Sequence, residues 1–142
     1  MRALLDVNVL IALLDAGHSM HRRATQWFGA EAAKGWASCP VTQNGCVRIM
    51  SHPGYPNSQP VNEVVLRLRE ACLAHVHQFW PDDLSMLDPT IADATHIHGP
   101  RQITDLYLLA LAVRHGGRLV MFDESISIDA IRGAAKKHLL TL

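Results

Sequence analysis

Long hydrophobic runs are missing from this chain of 142 residues. The longest, Val9 to Leu14 and Leu108 to Val113, fall far short of the roughly 20 residues that cross a bilayer, so no membrane partner is expected. Cysteine is scarce: Cys39, Cys46 and Cys72 are odd in number and form no Cys-x-x-Cys pair. That excludes a disulfide framework and favours free thiols in a reducing compartment, the cytoplasm. An excess of charge is absent too. Thirteen basic and thirteen acidic side chains cancel, so there is no broad basic field, and any contact with nucleic acid must be local. A secretory signal is imitated by Arg2 and the apolar stretch after it, but Asp6 and Asn8 interrupt that stretch and no small-residue cleavage site follows. Also missing are a G-x-S-x-G elbow and the glycine-rich phosphate loops of nucleotide-binding proteins. Zinc fares no better, because neither Cys72, His75 and His77 nor the pairs His18/His21 and His96/His98 complete a four-ligand set with two tight pairs.

Nearly half of the residues are hydrophobic and only 18% are charged, a balance that fits one globular domain over residues 1–142. Arg2 to Asp6 reads as a buried strand, and Val9 to Leu14 as a short helix. Ser19 reads as the cap of an amphipathic helix running to about Lys34, with Met20, Ala24, Trp27 and Phe28 on its apolar face. Gly35 ends that helix before a strand at Trp36 to Cys39. Pro40 opens the next helix, in which Gly45 implies close approach by another backbone. After a loop at residues 51–60, Val61, Val64, Val65, Leu68 and Cys72 mark a further helical face, and Gln78 to Trp80 a short strand. Asp88-Pro89 predicts the start of another helix, and Thr104 the cap of the most apolar one, Asp105 to about His115. Strands at Arg118 to Phe122 and Leu139 to Leu142 complete an α/β alternation, which predicts a mostly parallel sheet covered on both faces.

Ligands in such sheets bind outside the carboxyl ends of the strands. Asp6 and Asp123 each follow an apolar strand there, and Asp105 lies in the first turn of a buried helix that can face the same crevice. Each acid has an ordinary structural role open to it: Asp6 as a helix cap, Asp105 as a first-turn acid favoured by the helix dipole, Asp123 as a turn residue. Their conjunction is what points to chemistry. Two carboxylates about 4 Å apart repel by about 4 kcal/mol at an effective dielectric near 20, a conflict that a divalent cation resolves.

The segments Leu4-Leu-Asp6-Val-Asn8-Val-Leu10, Gly35-Trp-Ala-Ser-Cys-Pro-Val-Thr-Gln-Asn-Gly-Cys-Val-Arg-Ile49, Ile103-Thr-Asp105-Leu-Tyr-Leu-Leu-Ala-Leu-Ala112 and Leu119-Val-Met-Phe-Asp123 together resemble PIN-domain ribonucleases, specifically VapC-type toxins of bacterial toxin-antitoxin pairs. The resemblance implies a three-layer α/β/α fold and cleavage of RNA dependent on Mg²⁺ or Mn²⁺. It further implies a homodimer held inactive by a VapB-like antitoxin. By the same resemblance Asp6, Asp105 and Asp123 match metal-binding acids, and Asn8 and Thr104 the supporting polar positions. Where relatives carry Thr-Glu-Asn-Gly, this chain has Thr42-Gln43-Asn44-Gly45, so Gln43 keeps the length of a glutamate without its charge. Met121 stands where many relatives have a small hydroxyl residue.

Elementary chemistry agrees with that implication. Mg²⁺ takes oxygen ligands and keeps several waters, one of which, made more acidic, attacks the scissile phosphate. Asp6 and Asp123 are then expected as ligands, Asp105 as a ligand or a water-orienting base, Asn8 as an orienter of the ligands, and Arg48 as a holder of a flanking phosphate. The alternatives are a PIN-like protein that binds RNA or an antitoxin without cutting, and an aspartyl phosphatase or phospho-accepting receiver domain. The phosphatase pattern needs a second acid where this chain has Asn8, and no lysine can be placed for a receiver.

Overall fold

The computed structural model describes every residue except Glu124. Five strands, β1 (Ala3–Leu5), β2 (Trp36–Ser38), β3 (His77–Phe79), β4 (Arg118–Met121) and β5 (Leu139–Thr141), form one sheet in the order β3-β2-β1-β4-β5. Every pairing is parallel. Five α-helices accompany them: α1 (Val7–Leu14), α2 (His21–Glu31), α3 (Pro40–Met50), α4 (Val61–Cys72) and α5 (Ile103–Arg114).

Side chains alternate across a strand, and the three central strands, β2, β1 and β4, are buried on both faces, while the edge strands β3 and β5 are partly exposed. Leu4, Ala37, Leu119 and Met121 point to one side, into a core built on Leu106, Leu108, Leu109 and Leu111 of α5. Ala3, Leu5, Trp36 and Val120 point to the other, against Val9 and Leu10 of α1, Cys46 and Met50 of α3, and Val64 and Leu68 of α4. The result is the three-layer α/β/α arrangement. The four α5 leucines are fully buried, each worth about 2 kcal/mol of transfer free energy.

Some local expectations are corrected. Asp88-Pro89 starts no α-helix, because Asp88 Oδ1 accepts from both the Thr90 amide at 2.8 Å and its hydroxyl at 2.7 Å, closing a tight turn that competes with the helix. Met20 rather than Ser19 occupies the N-cap of α2, and Gln102 rather than Thr104 that of α5. What approaches Gly45 is the side chain of Val7, not a backbone: a Cβ at residue 45 would lie 2.8 Å from Val7 Cγ2.

The strand order positions the site. β1 and β4 are central neighbours with Leu5 opposite Val120, and the Asp6 amide donates to the Val120 carbonyl at 3.0 Å. Both strands therefore end at the same edge, with Asp6 directly after β1 and Asp123 two residues after β4. No helix among the described residues is long and apolar enough to cross a membrane.

Candidate active site

A cleft of about 540 Å³ opens at the carboxyl edge of the sheet. Among the described residues its polar wall consists of Asp6, Asn8, Arg48, Thr104, Asp105 and Asp123. The residues arrive from the ends of β1 and β4, the first turns of α1 and α5, and one face of α3. Segments distant in sequence thus converge on one place, and six of the seven residues singled out from the sequence meet there.

Asp6 is the best-buried acid of the group, with 7% of its surface exposed. It sits at the N-cap of α1 with extended backbone, yet makes no side-chain capping bond. No capping bond of good geometry forms, although the amides at the start of α1 still favour its charge. Its carboxyl is pushed up from the usual 3.8 to about 6, by burial first and then by the Asp105 carboxylate, with a smaller push from Asp123; the amides of Val7 and Asn8 pull the other way. Asp105 is half-buried in the first turn of α5, and its carboxyl is raised by burial and then by Asp123. Asp123 is exposed, and its Oδ1 accepts from the Ser125 amide at 2.8 Å. Among the described residues neither Asp6 nor Asp105 forms an ion pair. Three acids thus share a cleft in which the best-buried one is destabilised by its neighbours.

Asn8, Thr104 and Arg48 are exposed at the cleft mouth. Met121 and Val7 form part of its apolar wall, with Val41, Gly45, Ile49 and Phe122. Met121 is 1% exposed and belongs to the α5 core, so it offers no hydrogen bond to the cleft.

Gln43 is the exception, and its expected place in the site is corrected. An α-helix turns about 100° per residue, and the face of α3 toward the cleft is Val41, Gly45, Arg48 and Ile49. Gln43 and Asn44 line a separate groove between α3 and α4, beside Val65, Leu68 and Cys72. There Gln43 Nε2 donates to Ser38 Oγ at 2.9 Å, and Ser38 Oγ is 2.8 Å from His77 Nε2. Asn44 and Arg48, though a turn apart, consequently serve different grooves. Sequence reasoning missed the apolar part of the wall, although the spacing i, i+4, i+7, i+8 of the α3 residues carries its signal.

The cleft's ionisable and polar donors suit a hard cation: carboxylates, an amide and a hydroxyl, with no histidine or cysteine among the lining residues. Among the described residues the acids do not close into a preformed cluster of three ligands. Such a wall can hold positive charge, and Arg48 places a permanent cation of its own at the mouth of the cleft.

Comparison with known proteins agrees in detail. The PIN domain family pattern matches residues 3–131. The chain is 51% identical over its full length to Ribonuclease VapC44 of Mycobacterium tuberculosis, all of which is covered. It is 42% identical over 142 residues to Ribonuclease VapC38 (99% of each chain), and 39% identical over 134 residues to Ribonuclease VapC39 (94% of this chain and 96% of that one), both from the same organism. With the sheet, the edge cleft and these full-length similarities together, the chain belongs to the PIN domain family.

Proposed function

We propose that this protein is an endoribonuclease toxin of a VapBC-type toxin-antitoxin pair, cutting cellular RNA with the help of Mg²⁺ or Mn²⁺. The observation that carries the proposal is the convergence of Asp6, Asp105 and Asp123 on one cleft, with the Asp6 carboxyl raised to about 6 by burial and by its acidic neighbours. Such a group gains most from a cation, and full-length relatives bearing the name ribonuclease support the reaction class.

In this reading Asp6, Asp105 and Asp123 hold the ion. Held there, the ion would supply Lewis-acid chemistry, favouring hydroxide over water as the nucleophile and offsetting charge on the phosphate oxygens. Asn8 and Thr104 orient carboxylates or substrate by hydrogen bonds from the cleft mouth. Arg48, a permanently charged guanidinium, holds a phosphate of the RNA backbone beside the reacting one. The apolar wall from Val7, Ile49 and Met121 limits water to the polar side. Neutralisation by a VapB-like antitoxin and assembly as a homodimer complete the proposal, supported by the VapC names of the relatives.

The test is cleavage of total cellular RNA by purified protein with and without Mg²⁺. Cutting that EDTA abolishes and that Asp6→Asn abolishes is expected. RNA left intact under all Mg²⁺ and Mn²⁺ conditions, with RNA or antitoxin still bound, would establish a non-cutting PIN-like binder instead.

A further inference from the structure

The acidic cleft does not end at Arg48. That side chain and Ile49 also form one end of a second groove, of about 280 Å³, whose other walls are His52, Gly54, Tyr55 and Pro56. The segment belongs to the loop after α3, and composition alone gives it no task.

The loop is nonetheless built rigidly. Asp15, at the end of α1 and only 4% exposed, accepts hydrogen bonds from the Tyr55 hydroxyl, from Asn57 Nδ2 at 2.9 Å and from the Gly17 amide at 2.9 Å. Those bonds, Tyr55's first, hold its carboxyl below the usual carboxylate range, so it is an anion at neutral pH. Two positions of the loop are thereby tied to one buried charge. Within the loop, His52 Nδ1 accepts the Gly54 amide at 2.9 Å. An Nδ1 that accepts leaves Nε2 as the hydrogen-bearing nitrogen of the neutral ring, so His52 brings a donor to the groove. The groove thus presents one fixed cation, one imidazole donor and a wall of tyrosine and proline, contiguous with a cleft read as an RNA-cutting site. No acid lines it.

We propose that this groove is a subsite for the RNA strand flanking the scissile bond, in which Arg48 and His52 bind a backbone phosphate while Tyr55 and Pro56 pack against its nucleoside. The proposal rests on the nuclease reading of the cleft and extends it to the strand's path. Asp15 acts as a positioning residue, since it fixes Tyr55 and Asn57 rather than touching RNA.

Binding without cleavage separates the two claims. The probe is a short labelled single-stranded oligouridylate, titrated in EDTA into the full chain carrying Asp6→Asn, by fluorescence anisotropy over a range of salt. Adding Arg48→Gln is expected to reduce the slope of log K against log[salt] by about 0.7, the loss of one phosphate contact on a single strand. Adding His52→Ala is expected to weaken binding roughly three- to tenfold. Tyr55→Phe keeps the ring but cuts the tie to Asp15. It is expected to weaken binding to a similar extent, with the His52→Ala/Tyr55→Phe pair less than additive, while a thermal melt reports that each variant is folded. An unchanged slope in Arg48→Gln together with unchanged affinity in His52→Ala would overturn the subsite. Full additivity of the His52 and Tyr55 changes would overturn the positioning role. Failure of the wild-type chain to cut RNA bears on the nuclease reading alone, because these measurements contain no cleavage step.

Discussion

Gln43 spends its side-chain amide on Ser38: its Nε2 donates to the Ser38 hydroxyl at 2.9 Å, on the side of α3 turned away from the acidic cleft. Ser38 is fully buried and is bonded in turn to His77 Nε2, so the three residues tie α3, β2 and β3 together. Gln43→Glu removes the donor and puts a carboxylate where the amide was. The expected outcome is a loss of about 1 to 2 kcal/mol of stability, seen as a lower denaturant midpoint, with the Mg²⁺ concentration for half-maximal cleavage unchanged within about twofold. A sharp fall in the Mg²⁺ requirement would return residue 43 to the site.

Why Gln43 misleads while Asp6, Asp105 and Asp123 do not is a matter of which physics the sequence exposes. A carboxylate ending a short apolar strand in a parallel sheet has one edge to occupy, so Asp6 and Asp123 are placed by the alternation alone. The rotation of a helix is set by packing. Here it is fixed by Gly45 against Val7 and by Cys46 and Met50 in the core, which leaves Gln43 on the α4 side. Likeness of the phrase Thr42-Gln43-Asn44-Gly45 to a related motif carried no information about that rotation. The Asp88 turn is hidden in the sequence for a different reason: an aspartate before proline opens a helix or an isolated turn with the same letters, and only Thr90's two bonds to its carboxylate decide between them.

The raised carboxyl of Asp6 makes a signed prediction for the ion-free protein. With a folded-state value of about 6 against 3.8 unfolded, the folded state binds more protons between those values, so stability falls as pH rises through that window. The accumulated loss above pH 6 is about 3 kcal/mol at most, and Asp105 contributes in the same direction. Melting temperatures measured in EDTA from about pH 4 to about pH 7 are expected to decline in wild type relative to Asp6→Asn. Parallel curves for the two proteins would mean that Asp6 carries no such burden.

Asp6→Asn should therefore stabilise the ion-free chain at pH 7 while removing cleavage. Asparagine has nearly the shape of aspartate and suits an N-cap position equally well, and Asp6 makes no side-chain capping bond to lose, so the substitution leaves the start of α1 intact and isolates the charge. The complementary readout is Mg²⁺ itself: a ligand that binds only the folded state raises the melting temperature, and that rise is expected in wild type and much reduced in Asp6→Asn. A lower melting point for Asp6→Asn in EDTA would count against repulsion as the dominant effect.

Gly45 of α3 packs against Val7 of α1 in the wall of the cleft, and its test couples stability to chemistry. Alanine in the middle of a helix gains about 1 kcal/mol over glycine, but a Cβ here would meet Val7 Cγ2 at 2.8 Å and Cγ1 at 3.3 Å. Valine has a stiff χ1, so the clash cannot be relieved by a small rotation, and overpacking of this kind costs about 1 to 3 kcal/mol. The backbone of Val7 would have to move, and Val7 stands between Asp6 and Asn8. Gly45→Ala is thus expected to lower kcat/KM about tenfold, a change of about 1.4 kcal/mol in the barrier, with little net change in melting temperature. Shortening the partner tests the cause: Gly45→Ala with Val7→Ala should recover most of the lost rate, although Val7→Ala alone gains nothing. If the double variant is as slow as Gly45→Ala, the packing of residue 45 on residue 7 does not govern the geometry of the acids.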